Sequence, residues 1–168
     1  MEKIKGRVFV LGDNVDTDQI LPGYAMAEPF DQLGKYALAG CVGLDFVKKV
    51  RPGDIIVAGR NFGCGSSREQ APIALKMSGV GLVVAGGFGR IFRRNAINIG
   101  LPVYAADIAS LVKDGDEIEA DLEKGTIAYP GGTLTAAPLS PSVLKTLKYG
   151  GLIPRVRAEL AQSNHLTK

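Results

Sequence analysis

Two short apolar runs constrain this chain more than any other feature. Ile55-Ile56-Val57-Ala58 and Gly81-Leu82-Val83-Val84-Ala85 contain no polar side chain. A strand that is apolar on both faces has to be covered on both faces, which is the habit of parallel sheets. Each run ends at a glycine and leads into apolar residues at helical spacing. Ala71 to Val80 follows the first run. Phe88 to Ile99 follows the second, with Ile91, Phe92, Ala96 and Ile99 on one stripe. Gly100 is placed to cap that helix, and Pro102-Val103-Tyr104-Ala105 supplies a further strand. Strand, helix and strand in this order predict a parallel layer of βαβ units.

The flanking segments complete an α/β reading. Lys5 to Leu11 alternates and ends in Val8-Phe9-Val10, a first strand. Turn residues break it at Gly12 to Asp18. Ala25 to Phe30 reads as a loop with one helical turn. Asp31 to Leu38 and Asp45 to Val50 read as short helices, the first capped by Asp31 with Leu33 and Tyr36 or Ala37 inward. After Ala106 the pattern changes. Glu117 to Leu122 and Thr126 to Pro130 form a hairpin around Glu123-Lys124-Gly125, and Thr133 to Ala136 adds a strand. Pro141 to Lys148 and Pro154 to Gln162 read as helices. The 168 residues suit one domain, residues 1–168, with one core.

Composition removes several functions. Two cysteines, Cys41 and Cys64, and one histidine, His165, cannot build a tetrahedral zinc site or ligate an iron–sulfur cluster within this chain. A serine-histidine-acid relay would depend on His165, in a polar C-terminal stretch expected to fray. No apolar run is long enough to span a bilayer, and the N-terminus enters a strand pattern at once, so a cytoplasmic location is expected. Aromatics are 7% and Trp is absent, so there is no stacking platform for nucleic acid. Arg90, Arg93 and Arg94 form a basic cluster around a helix start. They read either as a solvated face or as contacts to an acidic partner or substrate.

Between the first apolar run and its helix lies Asn61-Phe62-Gly63-Cys64-Gly65-Ser66-Ser67-Arg68-Glu69-Gln70. Glycines let the backbone bend and approach a ligand, and Arg holds a carboxylate with two hydrogen bonds. Ser66 with Glu69, and Ser67 with Gln70, have capping-box spacing. Pro72 is comfortable only in a first turn, which puts the helix start between Ser67 and Ala71. The Gly-Lys-Ser/Thr of a Walker loop and the third glycine of a dinucleotide loop are both missing. Gly86-Gly87-Phe88-Gly89 fails the same test, since Phe92 holds the third position. Two readings remain for the polar loop: a site for a small carboxylate or phosphate, or a capped helix whose Arg68 pairs with a surface acid. Asp16-Thr17-Asp18, taken alone, reads as turn formers. An EF-hand is excluded there because Pro22, Tyr24 and Pro29 occupy later ligand positions.

Three stretches together resemble a known family. Asn61 to Glu69 resembles the central motif of the aconitase superfamily's swivelling domain. Asp13-Asn14-Val15-Asp16-Thr17-Asp18-Gln19-Ile20 resembles its first motif, and Phe88 to Pro102 its third. With this length and no cysteine cluster, the chain resembles free-standing small subunits of 3-isopropylmalate dehydratases, over roughly residues 5 to 150. The resemblance implies a swivelling β/β/α domain, with a parallel sheet layer flanked by helices and a smaller C-terminal β layer. It implies a hydro-lyase of leucine biosynthesis, active only with a large subunit that carries a [4Fe–4S] cluster, in a heterodimer or heterotetramer.

By match to the central motif, Ser66 is implied as the base that removes a proton alpha to a carboxylate. Arg68 is implied to grip a substrate carboxylate, and Ser67 to donate a hydrogen bond. By match to the first motif, Thr17 and Asp18 face the same cavity, Asp18 orienting its neighbours or taking part in hydroxyl protonation. Cys64 is read as packing and no residue as a metal ligand. Where many relatives carry an Arg in the loop that reads the substrate's variable group, this chain has Gly23-Tyr24-Ala25-Met26-Ala27-Glu28. Tyr24, Ala25 and Met26 suit an apolar or small group, which favours isopropylmalate, dimethylmalate or citramalate over homoaconitase-type tricarboxylates. A different class, a stand-alone anion- or RNA-binding module using Arg68 and Arg90 to Arg94, is disfavoured by the missing aromatic platform.

Overall fold

The structure is a computed structural model, and it describes residues 1–166. Seven strands form one sheet: β1 (Ile4–Val10), β2 (Ile55–Ala58), β3 (Leu82–Ala85), β4 (Val103–Ala105), β5 (Glu117–Asp121), β6 (Thr126–Tyr129) and β7 (Gly132–Thr135), in the order β4-β3-β2-β1-β5-β6-β7. The helices are α1 (Thr17–Ile20), α2 (Phe46–Lys49), α3 (Gln70–Met77), α4 (Arg90–Asn98), α5 (Pro141–Lys148) and α6 (Leu152–Leu166). Two 3₁₀ segments, Gly23–Ala25 and Phe30–Tyr36, lie between α1 and α2.

β1 joins the two halves of the sheet. Its end, Val8 to Val10, pairs in parallel with Ile55 to Val57, while Ile4 to Arg7 pairs antiparallel with Ala120 to Glu117. The predicted smaller β layer is therefore continuous with the parallel one. The two all-apolar runs are central strands with every residue buried. Alternate side chains feed two cores. Phe9, Ile56, Ala58, Val83 and Ala85 meet the face carrying Ala74, Leu75, Phe92 and Ala96. Val8, Ile55, Val57, Leu82 and Val84 meet Tyr104, Ile108, Val112 and Ile118 on the other face. Fully burying such aliphatic side chains contributes roughly 1.5–3 kcal/mol each before the entropy cost of ordering them.

Several local expectations are corrected. The helix predicted from Asp31 is the 3₁₀ segment Phe30–Tyr36, with Pro29 at its cap and no side-chain capping bond. It presses onto α3 so closely that a Cβ on Gly34 would lie 2.8 Å from the Met77 carbonyl carbon. Leu33 and Ala37 are buried as expected. Neither capping box forms at α3, which starts at Gln70 behind Glu69 with no side-chain cap. Starting there keeps Pro72 within the first turn and leaves Ser66 and Ser67 too far upstream to cap. On α4, Ile91 is 41% exposed, and Ile97 packs inward instead. The last helix begins earlier and ends later than Pro154 to Gln162.

Candidate active site at the carboxyl ends of three strands

Three loops leave the carboxyl ends of β1, β2 and β3 and are bonded to one another through their backbones. Gly59 N donates to Gly12 O at 3.1 Å, Asn14 N to Arg60 O at 2.8 Å, Gly63 N to Val15 O at 2.7 Å and Thr17 N to Cys64 O at 2.9 Å. Arg60 N donates to Asp13 Oδ1 at 2.7 Å. Asn14 and Asn61 both take left-handed conformations, which Asn tolerates better than most residues, and Asn61 Nδ2 donates to Asn14 Oδ1 at 3.1 Å. The third loop joins through Phe62 N to Gly87 O at 3.0 Å and Gly89 N to Phe62 O at 2.8 Å. Beneath them, Phe62 meets Phe92 edge-on at 5.4 Å. Gly63 is forced by this packing: its φ is +78°, and a Cβ there would lie 2.3 Å from the Phe92 ring.

This scaffold brings Thr17, Asp18, Ser66 and Arg68 together. Asp16 caps α1 through a complete capping box with Gln19, accepting from Gln19 N at 2.8 Å and donating its own N–H to Gln19 Oε1 at 3.0 Å. That aims the buried Thr17 side chain at the central loop. Thr17 Oγ1 and Ser66 Oγ are 3.0 Å apart and hydrogen-bonded. One residue on, Asp18 forms an ion pair with Arg68. Arg68 Nη1 also donates to Leu21 O at 3.2 Å, so the guanidinium is held from both ends of α1. Ser66 and Ser67 are exposed, and Ser67 makes no side-chain bond to the described residues.

The 23–28 loop lies beside this group, since a Cβ on Gly23 would sit 4.0 Å from Arg68 Nη2. Tyr24 is 72% exposed and Met26 is half-buried, but Ala25 is fully buried in the core. Of the three side chains predicted to read the substrate, Ala25 is the one not brought to the surface. Tyr24 rests edge-on against Tyr36 at 6.0 Å, and Tyr36 Oη donates to Glu28 Oε1 at 3.3 Å. The Glu28 charge pushes the Tyr36 phenol up, keeping it a donor. On the other side of Ser66 a cleft of about 710 Å³ opens, lined by Gly63 to Ser66 and by Gly89, Arg90, Ile91, Arg93 and Arg94. Cys64 is half-exposed and lines this cleft.

Comparison with known proteins gives this geometry a context. The family model described as Aconitase C-terminal domain matches residues 40–106. The isopropylmalate/citramalate isomerase small subunit of Methanocaldococcus jannaschii is 47% identical over 164 residues, covering 95% of this chain and 97% of that one. The 3-isopropylmalate dehydratase small subunit of Aquifex aeolicus is 48% identical, with coverages of 95% and 97%. The methanogen homoaconitase small subunit of Methanothermobacter thermautotrophicus is 50% identical, with coverages of 89% and 88%. The crystal structure titled 3-isopropylmalate dehydratase (leuD), from M. jannaschii, superposes with a TM-score of 0.89 at 43% identity, over 98% of this chain and 99% of that one. The chain belongs to the aconitase superfamily, in the family of 3-isopropylmalate dehydratase small subunits.

Family membership accounts for the three motifs and for the fold. What sequence reading missed is how they are joined. Asp16 reads as a turn former, yet it caps the element that carries Thr17 and Asp18. The spacing Asp16-x-x-Gln19 was the available signal, a capping box written with an acid in place of a hydroxyl. The role of the Leu21 carbonyl has no signature in side-chain types. Burial and the Asp16 charge push the Cys41 thiol up, which keeps it protonated and a poor soft ligand. Among the described residues, no group of three or more His, Cys, Asp or Glu side chains could hold a metal ion.

Proposed function

We propose that this chain is the small subunit of a hydro-lyase that interconverts 2-isopropylmalate and 3-isopropylmalate by dehydration and rehydration, and that it completes the active site of an iron–sulfur large subunit. The observation that carries the proposal is the pairing of Ser66 with Thr17 and of Arg68 with Asp18 on two loops bonded to each other. The proposed location is the cytoplasm, where leucine biosynthesis would use it. A [4Fe–4S] cluster does not fit the donor set of this chain, whose cysteines number two. On this reading the cluster resides in the large subunit, where it supplies Lewis-acid chemistry at the substrate's hydroxyl and carboxylate.

The work assigned to this chain is binding and proton transfer. Arg68 is a fixed, always-charged fork that takes a substrate carboxylate in place of, or alongside, Asp18. Ser67, whose hydroxyl has no partner among the described residues, donates a further hydrogen bond. Ser66 takes the proton alpha to that carboxylate. A serine hydroxyl is too weak a base for this unless its alkoxide is stabilised. Thr17, whose hydroxyl has no other partner among the described residues, is placed to donate to it, with the Arg68 charge nearby. Asp18 holds Arg68 in orientation and is positioned to take part in protonating the hydroxyl. Substrate choice falls to the loop with Tyr24 and Met26 at its surface and Ala25 as its buried support. With no Arg in residues 23–28, it offers no partner for a third carboxylate. Citramalate is the second substrate to consider, because a 47% identical relative carries isopropylmalate/citramalate in its name and an apolar loop accepts a smaller group.

Purification of this chain with its matching large subunit, under reducing anaerobic conditions, tests the proposal against a panel of alkylmalates. Turnover of isopropylmalate is expected from the complex and not from either chain alone. Ser66→Ala is expected to lower kcat by about 10²–10⁴-fold, the usual worth of a positioned acid–base group. Turnover by this chain without a partner refutes the half-site. Undiminished turnover by Ser66→Ala refutes the base assignment while leaving the family standing.

A further inference from the structure

The 710 Å³ cleft beside Ser66 has a charged wall that the chemistry above does not use. Arg90, Arg93 and Arg94 line it, all three are exposed, and none makes a side-chain hydrogen bond or ion pair with a described residue. Elsewhere among the described residues Arg7, Arg60, Arg68 and Arg155 each have a carboxylate partner, while the exposed Arg51 and Arg157 have none but stand apart from one another. Three unpaired guanidinium groups within five residues repel one another, and no acidic residue stands in the first turn of α4 to relieve them. Such a violation of local charge balance is retained where something else neutralises it. Ile91, turned outward between them, closes the wall with an apolar side chain instead of a carboxylate.

The helix that carries the wall packs against the loop that carries Ser66. A Cβ on Gly89 would lie 2.6 Å from the Gly63 carbonyl oxygen, so the start of α4 and the floor of the cleft touch backbone to backbone. Phe88 and Phe92, which flank Gly89 in the chain, stack 6.3 Å apart with planes at 7°. The start of α4 is thereby anchored against Gly63, in the loop that leads to Ser66.

We propose that Arg90, Arg93 and Arg94 form the mouth of the active site: they capture the dianionic substrate electrostatically and pass it to Ser66 and Arg68. The proposal rests on the dicarboxylate reading of the preceding subsection and extends it to residues outside the bonded constellation. A cleft lined by one sign of charge concentrates the opposite sign and raises the rate of encounter, and it does so less as salt rises. The wall acts before chemistry, so its signature is in kcat/KM and not in kcat.

The test uses the reconstituted complex with isopropylmalate as substrate, over a series of ionic strengths. The double variant Arg93→Gln/Arg94→Gln is expected to lower kcat/KM by about tenfold at low salt, with kcat within about twofold of the parent, and to flatten the salt dependence. Arg93→Lys/Arg94→Lys keeps the charge and is expected to keep kcat/KM. An unchanged kcat/KM and salt slope in the glutamine variant overturns the proposal. So does a loss in the lysine variant. A defect that disappears at saturating large subunit, together with weaker subunit affinity by titration, also overturns it and assigns the arginines to an acidic surface of the partner. A parent complex with no activity on any dicarboxylate overturns the function itself, which none of the variant outcomes does.

Discussion

Replacing Thr17 by Val separates a structural from a chemical role for the hydroxyl pair. Thr17 is 2% exposed, and its Oγ1 bonds Ser66 Oγ at 3.0 Å. Valine keeps the branched shape and puts a methyl where the hydroxyl was. A methyl there would lie closer to Ser66 Oγ than a carbon–oxygen contact allows, so the exposed Ser66 side chain has to turn aside. In the resting protein the change removes one neutral hydrogen bond, worth about 0.5–1.5 kcal/mol net. Ser66 is exposed and turns to water, so no polar group is stranded and the unfolding free energy should fall by less than about 1 kcal/mol. In the proposed reaction the same bond is made to a developing alkoxide, and hydrogen bonds to charged groups contribute about 1.5–3 kcal/mol. At 1.36 kcal/mol per factor of ten, kcat should fall by about ten- to 150-fold. The assay is steady-state turnover of isopropylmalate by the complex, beside urea denaturation of the isolated small subunit. A kcat within twofold of the parent refutes the argument that Thr17 stabilises the Ser66 anion. A stability loss of about 3 kcal/mol or more refutes it differently, since lost folding then explains the rate.

Gly63→Ala combines a left-handed backbone, φ +78°, with a Cβ 2.3 Å from the Phe92 ring; it should cost about 2–4 kcal/mol, seen as a lower denaturant midpoint at unchanged slope. The Arg155 and Lys145 bonds to Glu159 hold its carboxyl below the ordinary value of 4.5. A carboxyl lowered in the folded state contributes stability above its unfolded value and loses it as pH falls through the folded one. The difference in Tm between the parent and Glu159→Gln should accordingly be present at neutral pH and close progressively below pH 4.5. Cys41, pushed up by burial and by Asp16, should be alkylated by iodoacetamide at pH 8 more slowly than an unhindered thiol, with Asp16→Asn narrowing the gap, as read by intact-mass spectrometry.

The parts of the fold legible in the sequence were those where one physical rule dominates. β2 and β3 have no polar side chain, and nothing but a doubly covered sheet accommodates them. β1 alternates, which marks a strand but not its partners. Its two ends pair with different neighbours in opposite senses, and no local pattern encodes that. The capping boxes at Ser66 and Ser67 had the right spacing and failed because Pro72 controls where α3 begins. Ile91 was placed inward by a stripe that ignored the cleft beside α4.

The site was legible only as separate motifs. Thr17 and Ser66 lie 49 residues apart, and what joins them is a ladder of backbone bonds that any residue type can make. The family resemblance therefore assigns Thr17, Asp18, Ser66 and Arg68 to one cavity without naming the pairs they form. For Asp18 and Arg68 the pairing alters the argument. Read from the sequence, Asp18 orients its neighbours or takes part in hydroxyl protonation, and Arg68 either grips a carboxylate or pairs with a surface acid. As an ion pair, anchored further by the Leu21 carbonyl, Arg68 is already neutralised and oriented before substrate arrives. On the proposed function, an incoming carboxylate shares the fork with Asp18 or displaces it, and Asp18, 69% exposed, is the partner with solvent to move into. On that reading, binding at Arg68 releases Asp18 close to Ser66 and Thr17, which couples the carboxylate grip to the acid proposed to take part in protonating the hydroxyl.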